Sequence, residues 1–430
     1  FNSTCYSKFI LSYQKDEVNS EDFKVFRNAD YKVDSLVRKL GYNFQTGHLA
    51  ANFELTKKYN ANLTLKAGLI VNRLDYNLKD STYNEITYHF VHRLDYSGNT
   101  WLVQPFVQAK YKFSDQFSIN GGLHVQFLTL NNSQSIEPRA GFRWNFRPDQ
   151  SLSGGAGVHS QMQPYYIYYY HLPVLNDGKF SLHNKNLDFT KSNHYILSYD
   201  LALKNNSRIK IESYYMHLYN VPVTKKPSAY TILNEGATFN RFFPDTLMNT
   251  GTGTNYGLEF TLEKFFSSSY YFLFTASLYD SKYTGSDGIE RNTAFNGKYA
   301  VNLLAGKDFK LNKSGHTIMT TGIKITRAGG LRYTPVDEVA SKNSGEIVEL
   351  DSLRNTKQFK DYFRIDIKLG IKINTKHLTH EIAFDLVNVL DTRNILSLVY
   401  INDPSNPGKN PIQEEYQLGF LPLFYYKIDF

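Results

Sequence analysis

Cysteine is nearly absent from this chain: there is one, Cys5, in 430 residues. An internal disulfide is therefore impossible, and a lone thiol neither defines a redox compartment nor completes a Cys/His zinc site. Long apolar runs are missing too, since no stretch approaches the ~18 residues that a membrane helix needs. No segment of any length repeats apolar residues at helical spacing. Lys and Arg outnumber Asp and Glu 48 to 40, for a net charge of +8. They are spread through turns and alternating strands, with no basic run or recognition helix, so the pattern is that of a solvated surface and not of a nucleic-acid partner. No HExxH motif occurs, and Gly251-Thr252-Gly253-Thr254 lacks the strand-to-helix setting of a phosphate loop. A blade-length repeat of roughly forty residues, the mark of a propeller, is also missing.

What the chain has in excess is aromatic residues, 15% of the total, with 33 Tyr and 31 Phe. Mean hydropathy is −0.43, which averages as water-soluble. In a membrane barrel, however, lipid-facing and lumen-facing residues alternate and cancel in any window. Alternation does recur along almost the whole chain. Leu49, Ala51, Phe53 and Leu55 alternate with Ala50, Asn52, Glu54 and Thr56; after a turn the pattern resumes at Leu63, Leu65, Ala67, Leu69 and Val71. Phe363, Ile365, Ile367, Leu369, Ile371 and Ile373 stand against Arg364, Asp366, Lys368, Gly370, Lys372 and Asn374. A strand sends alternate side chains to opposite faces, so each run reads as a strand with one apolar face. The terminal stretch Tyr416 to Phe430 reads as one more strand, with Phe420, Phe424, Tyr426, Ile428 and Phe430 on its apolar face. Pro422 removes a ladder donor there and predicts a bulge or weakened pairing.

Tight turns alternate with long polar loops near 73–100, 161–193, 220–253, 282–296, 328–360 and 392–415, and the stretch 14–47 also reads as loop. One link, near 131–135, is short where a long one is expected. Short turns on one side and long loops on the other are the asymmetry of outer-membrane barrels. The spacing predicts an all-β fold: a transmembrane antiparallel up-and-down β-barrel of about 16 strands, with short periplasmic turns, long extracellular loops and a single barrel domain over the whole chain.

Particular motifs narrow the reading. Gly157-Val158-His159-Ser160-Gln161-Met162-Gln163-Pro164, Tyr219-Asn220-Val221-Pro222, and Gly251 to Glu259 are three of them. Tyr214-Tyr215, Ser277 to Tyr283 with Gly285 to Gly288, Glu290-Arg291-Asn292-Thr293-Ala294-Phe295, Tyr362 to Asp366, Asp385 to Val389 and Tyr416 to Phe420 complete the set. Together they resemble the barrel of TonB-dependent outer-membrane receptors of the kind common in Bacteroidota. The resemblance runs from about residue 47 to the end. It implies a barrel of about 22 strands, plugged by an amino-terminal domain. Such a barrel takes up a scarce nutrient (a siderophore, cobalamin, glycan or peptide) with energy passed from the TonB–ExbB–ExbD complex. It implies the outer membrane of a Gram-negative bacterium, with outer-membrane lipid, the barrel-assembly machinery and a surface lipoprotein as partners. No cofactor is implied. Set against this pattern the chain begins with Phe1 and lacks the plug and roughly the first six strands, so it is expected to be a carboxyl-terminal barrel portion. A passive porin-like channel and a plug-less structural or partner-binding barrel are the alternatives.

Several residues are candidates for a site. Tyr165, Tyr166, Tyr168, Tyr169 and Tyr170 open a long loop, where aromatic rings can stack on a flat ligand or a sugar, or else form an interfacial belt or pack within the loop. Arg327 and Arg332 flank Gly329-Gly330 and are suited to an anionic ligand. Asp280, Asp287 and Glu290 surround Gly285 to Gly288; Ca²⁺ favours several oxygens in such a loop, but the spacing is not that of an EF-hand. His89 and His92 read as loop histidines, not metal ligands. His159 and Ser160 are the nearest approach to a catalytic pair, but neighbours on a strand point to opposite faces. No catalytic residue is assigned, and an enzyme is not expected. The terminal aromatic strand resembles an outer-membrane assembly signal.

Overall fold

A computed structural model describes residues 4–28, 30, 32–84, 89–173, 180–236, 246–402, 406 and 408–430. Among these residues the main sheet has seventeen strands, one of which, Glu290–Asn292, is a three-residue stub. The long ones are β1 (Cys5–Arg27), β2 (Val33–Lys58), β3 (Leu63–Asn84), β4 (His89–Lys112), β5 (Phe117–Leu128), β6 (Ser133–Arg147), β7 (Gln150–Gln161) and β8 (Thr190–Leu203). They continue with β9 (Ser207–Thr224), β10 (Leu247–Ser267), β11 (Tyr270–Thr284), β12 (Tyr299–Lys310), β13 (Thr317–Ala328), β14 (Tyr362–Asn374), β15 (Thr379–Val387) and β16 (Leu421–Asp429). The fold is an all-β, antiparallel up-and-down sheet of the transmembrane-barrel class. It divides into two compact units, Phe1–Arg143 with Gly155–His194 and His217–Thr252, and Trp144–Gly154 with Tyr195–Met216 and Gly253–Phe430.

In the first unit β1 to β5 form a meander of consecutive antiparallel pairs. Side chains build the tight turns. Asn60 Oδ1 accepts from the amides of Asn62 and Leu63, each at 2.8 Å, and Ser114 Oγ accepts from Phe117 at 3.1 Å, the local bonding that makes Asn and Ser turn residues. Tyr13, Leu49, Arg73 and Trp101 lie in one cross-strand row. On β4, Trp101 and Tyr111 share a face and are both exposed. Ten residues at the rise of a strand tilted by about 40° span about 25 Å, the height of an outer-membrane apolar band between its aromatic girdles.

The same row explains two corrections. Residues 14–47 and 73–100, read from sequence as loops, are largely strand: β1 and β2 pair from Cys5↔Lys57 to Arg27↔Val33, and β3 and β4 pair up to Asn84↔His89. Residues 29, 31 and 85–88 of those stretches lie outside the described residues. Beyond the Trp101 row the apolar positions, among them Phe44, Tyr76, Leu78 and Leu94, turn to the buried cluster of this unit. The outward apolar row, the signal used to find strands, therefore ends while the ladder continues. His89 and His92 accordingly sit on a strand, opposite Asn84 and Ser81.

In the second unit β11 to β16 pair in chain order. Tyr256 and Phe266 on β10 repeat the ten-residue spacing of exposed aromatics. The turn before β10's partner uses Ser268 and Ser269 at φ 54° and 66°, the left-handed conformations that hairpin turns demand. The 328–360 loop holds a short helix, α1 (Glu338–Ser344), capped where Asp337 Oδ1 accepts from Val339 and Ala340 at 3.1 and 2.9 Å.

The closing strand is shorter than the sequence pattern suggests. β16 begins at Leu421, whereas Tyr416 ends a separate hairpin, Ile395–Tyr400 with Ile412–Tyr416. The break has a physical cause: Asp391 Oδ1 takes the Phe420 amide at 2.9 Å and occupies the space a side chain on Gly419 would need. Pro422 produces no bulge, because the register with β15 is unbroken from Leu421 to Asp429. Pro422 is the second residue of the strand, where a missing donor is tolerated.

Candidate functional site

In the first unit Tyr165–Tyr169 forms one helical turn after Pro164. Tyr168 and Tyr169 are fully buried and Tyr170 nearly so, whereas Tyr165 and Tyr166 keep part of their surface. Tyr169 stacks on Tyr96 with centroids 3.8 Å apart, and Tyr165 stacks on Tyr76 at 5.2 Å and meets Phe44 edge-on. Tyr168 Oη accepts from the Gln163 amide at 3.0 Å, and Gln163 Nε2 donates to Asp188 O at 2.7 Å. Burial pushes the Tyr168 hydroxyl up to about 12, so it acts as a neutral hydrogen-bonding group. The turn thus seals an apolar cluster with Leu78, Leu94, Leu128 and Phe189, the core of this unit. Two of the five candidate rings, Tyr165 and Tyr166, keep surface open to a ligand.

Sequence reasoning missed a polar hub in the same unit. The Glu137 carboxylate is fully buried and receives Gln126 Nε2 at 2.6 Å and Arg139 at 2.5 Å, with His124 Nδ1 at 3.0 Å. The signal was present as the alternating polar set Ser135, Glu137, Arg139 on β6, but nothing in it specified convergence with β5. Ser160 Oγ contacts the Ser135 hydroxyl, while the His159 ring lies 4.5 Å from that of His194. The two residues thus serve different neighbours and form no nucleophile–base pair.

In the second unit each of the calcium-candidate carboxylates has its own cation. Asp280 receives Lys298 and Asn296, each at 2.6 Å, and Glu290 receives Lys282 at 2.8 Å. Asp287 is held by both terminal nitrogens of Arg291, at 2.9 and 2.7 Å. That fork holds the Asp287 carboxyl below its usual range. No group of three or more metal-ligating side chains occurs among the described residues. Arg327 lies 3.2 Å from both Asp361 and Tyr299 Oη, and Arg332 donates to Asn296 O at 3.1 Å. Gly329 packs so closely on Gly297 that a Cβ would run into its carbonyl oxygen. Both arginines are therefore engaged; Arg327, read from sequence as a loop residue, sits at the end of β13, and Arg332 lies in the loop that follows. On the closing strand Phe424 packs on Phe384 and Tyr426 on His380, and both remain exposed with Ile428; Phe420 and Phe430, also exposed, flank the strand just outside its ends.

The second unit also holds a cavity of about 460 Å³ at the level of Tyr256. Glu212, Tyr214 and Met216 of β9 line it from alternate positions, as do Asn255 and Glu259 of β10, on the face opposite exposed Tyr256 and Leu258. Tyr279 and Ser281 of β11 complete that wall.

Comparison with known proteins identifies the class. The family described as TonB dependent receptor-like, beta-barrel matches residues 3–389. The chain belongs to that family, whose members are receptors and transporters of the Gram-negative outer membrane and not enzymes. TonB-dependent receptors in general work with the TonB–ExbB–ExbD complex. Among solved structures, the ferric yersiniabactin uptake receptor FyuA from Yersinia pestis is similar at 12% identity and TM-score 0.65, covering 100% of this chain and 60% of that one. The ferric-catecholate import receptor Fiu from E. coli K12 matches at 11% identity and TM-score 0.65, covering 100% and 62%. The siderophore receptor PirA from Acinetobacter baumannii matches at 14% and 0.63, covering 98% and 59%. These likenesses concern the fold, and the chain spans about three-fifths of the length of the structures it matches. No curated protein sequence matches the chain.

Proposed function

We propose that the chain is the ligand-capturing barrel portion of an outer-membrane nutrient receptor of the Bacteroidota kind, driven through TonB–ExbB–ExbD and acting with a plug domain. The family match over residues 3–389 carries this reading. Two sets of exposed aromatics about 25 Å apart support its placement in lipid, with insertion by the barrel-assembly machinery through β16. The nutrient is a scarce, large molecule: a siderophore, cobalamin, glycan or peptide. Three structural neighbours are named as receptors for ferric yersiniabactin, for a ferric catecholate and for a siderophore. Capture is assigned to the outer loops, with Tyr165 and Tyr166 as accessible rings and a surface lipoprotein as partner.

The test is genetic. Deleting the gene in its own host should abolish growth on one such nutrient, and deleting tonB should reproduce the loss. Nutrient use unaffected by either deletion, combined with steady ion conductance of the purified chain in planar bilayers, would replace this reading with that of a passive channel.

A further inference from the structure

The cavity beside Tyr256 has an electrostatic character that its neighbours do not cancel. Glu212 is neutralised by Lys210 at 2.7 Å, and Asp280 by Lys298. Glu259 has no hydrogen bond or ion pair among the described residues, and no Lys, Arg or His lines the cavity. One uncompensated carboxylate therefore sets the sign, and an anion is disfavoured there.

The remaining walls suit an organic body and not a bare ion. Tyr214 and Tyr279 present rings, and Ile196, Met216 and Phe295 present apolar surface. Gly257 makes room for this: a Cβ there would lie 2.8 Å from Tyr214 Oη, so any side chain would displace the ring. Asn255 and Ser281, joined at 2.6 Å, supply hydrogen-bonding groups at the rim. A cation near tyrosine faces gains from the ring quadrupole. The volume lies within the ordinary range for small-molecule sites.

We infer that this cavity binds an organic cation, an ammonium or guanidinium on an apolar stem such as a basic side chain of a peptide, with Glu259 as counter-ion and Tyr214 and Tyr279 as its walls. The inference rests on the receptor reading above and narrows its ligand class.

Calorimetric titration of the purified full chain in detergent micelles tests it, with Nα-acetyl-L-arginine amide as probe and Nα-acetyl-L-citrulline amide as its neutral counterpart. Saturable binding of the arginine compound alone is expected. Glu259→Gln should weaken it about two- to fivefold, the worth of an ion pair at an exposed carboxylate. Glu263→Gln, on the same strand but paired with Arg208 at 2.9 Å outside the cavity, should leave it unchanged. Equal binding of the neutral compound, no binding of either, an unaffected Glu259→Gln variant, or equal weakening by Glu263→Gln would each overturn the assignment. Failure here with TonB-dependent nutrient use intact in cells removes the cavity ligand and leaves the receptor reading standing.

Discussion

The Asp287–Arg291 fork is the most exposed test of how the outer loops of the second unit are held. Arg291 keeps 5% of its side-chain surface and Asp287 19%. The guanidinium also reaches Ile289 O at 3.2 Å and Ser352 O at 3.4 Å, so one side chain ties the 285–298 segment to the 350–356 segment. Truncation in Arg291→Ala strands a mostly buried carboxylate and frees both carbonyls. Breaking a fully buried pair costs about 3–5 kcal/mol; the remaining water contact of Asp287 lowers this to about 2–3 kcal/mol. Local opening should then become about 30- to 150-fold more frequent. Hydrogen exchange of the detergent-solubilised protein reads this directly. Faster exchange is expected in those two segments, with β12 to β14 unchanged. Arg291→Lys should fall between, because an ammonium keeps the charge but not the fork. The bond from Asn355 Nδ2 to Asn292 O, 3.0 Å, survives in every variant and limits the opening. Unchanged exchange in both segments, or a uniform rise across the strands, would refute the reasoning.

Further expectations follow from other contacts. Asp287 is held below the ordinary value of 3.8 by its hydrogen bonds from Arg291. Its contribution is fully present above that value and is lost as pH falls from it through the lower folded value; loop exchange corrected for intrinsic rate should rise below about pH 4 and stay flat from 5 to 8. Tyr168→Phe removes the acceptor of the buried Gln163 amide, which should destabilise the 161–170 turn by about 1–3 kcal/mol, seen as faster proteolysis there. Gly329→Ala has no room beside Gly297 and should loosen the 329–361 loop by about 1–3 kcal/mol, measured by protease cleavage with the strands left intact.

Much of the fold was legible because the apolar band imposes a period of two. Phe363 to Ile373 face one way along β14, and the turns after Lys58, Lys112 and Ser267 fall where Asn and Ser can bond their own backbone. The motif Asp385 to Val389 was legible as a resemblance, but its work was not. Asn388 takes the Thr392 amide at 3.1 Å and donates to Thr392 O at 3.0 Å, while its own amide goes to Asp366. Together with Asp391 it sets where β16 can start.

What the sequence determined by itself is the class: strands, their approximate number, and one lipid-facing side, all fixed by local alternation against an apolar solvent. Tertiary structure alone decided the rest. Strand extensions beyond the band were missed because their apolar side chains, such as Phe44, Tyr76 and Leu78, pack on the unit's own buried cluster and no outward apolar row marks them. The five tyrosines divided into buried and accessible ones because Tyr96, Tyr76 and Phe44 arrive from three other strands. Whether a carboxylate such as Glu137 or Glu259 meets a partner depends on neighbours brought by the ladder register, as Gln126 and His124 are brought to Glu137, and no local pattern encodes that.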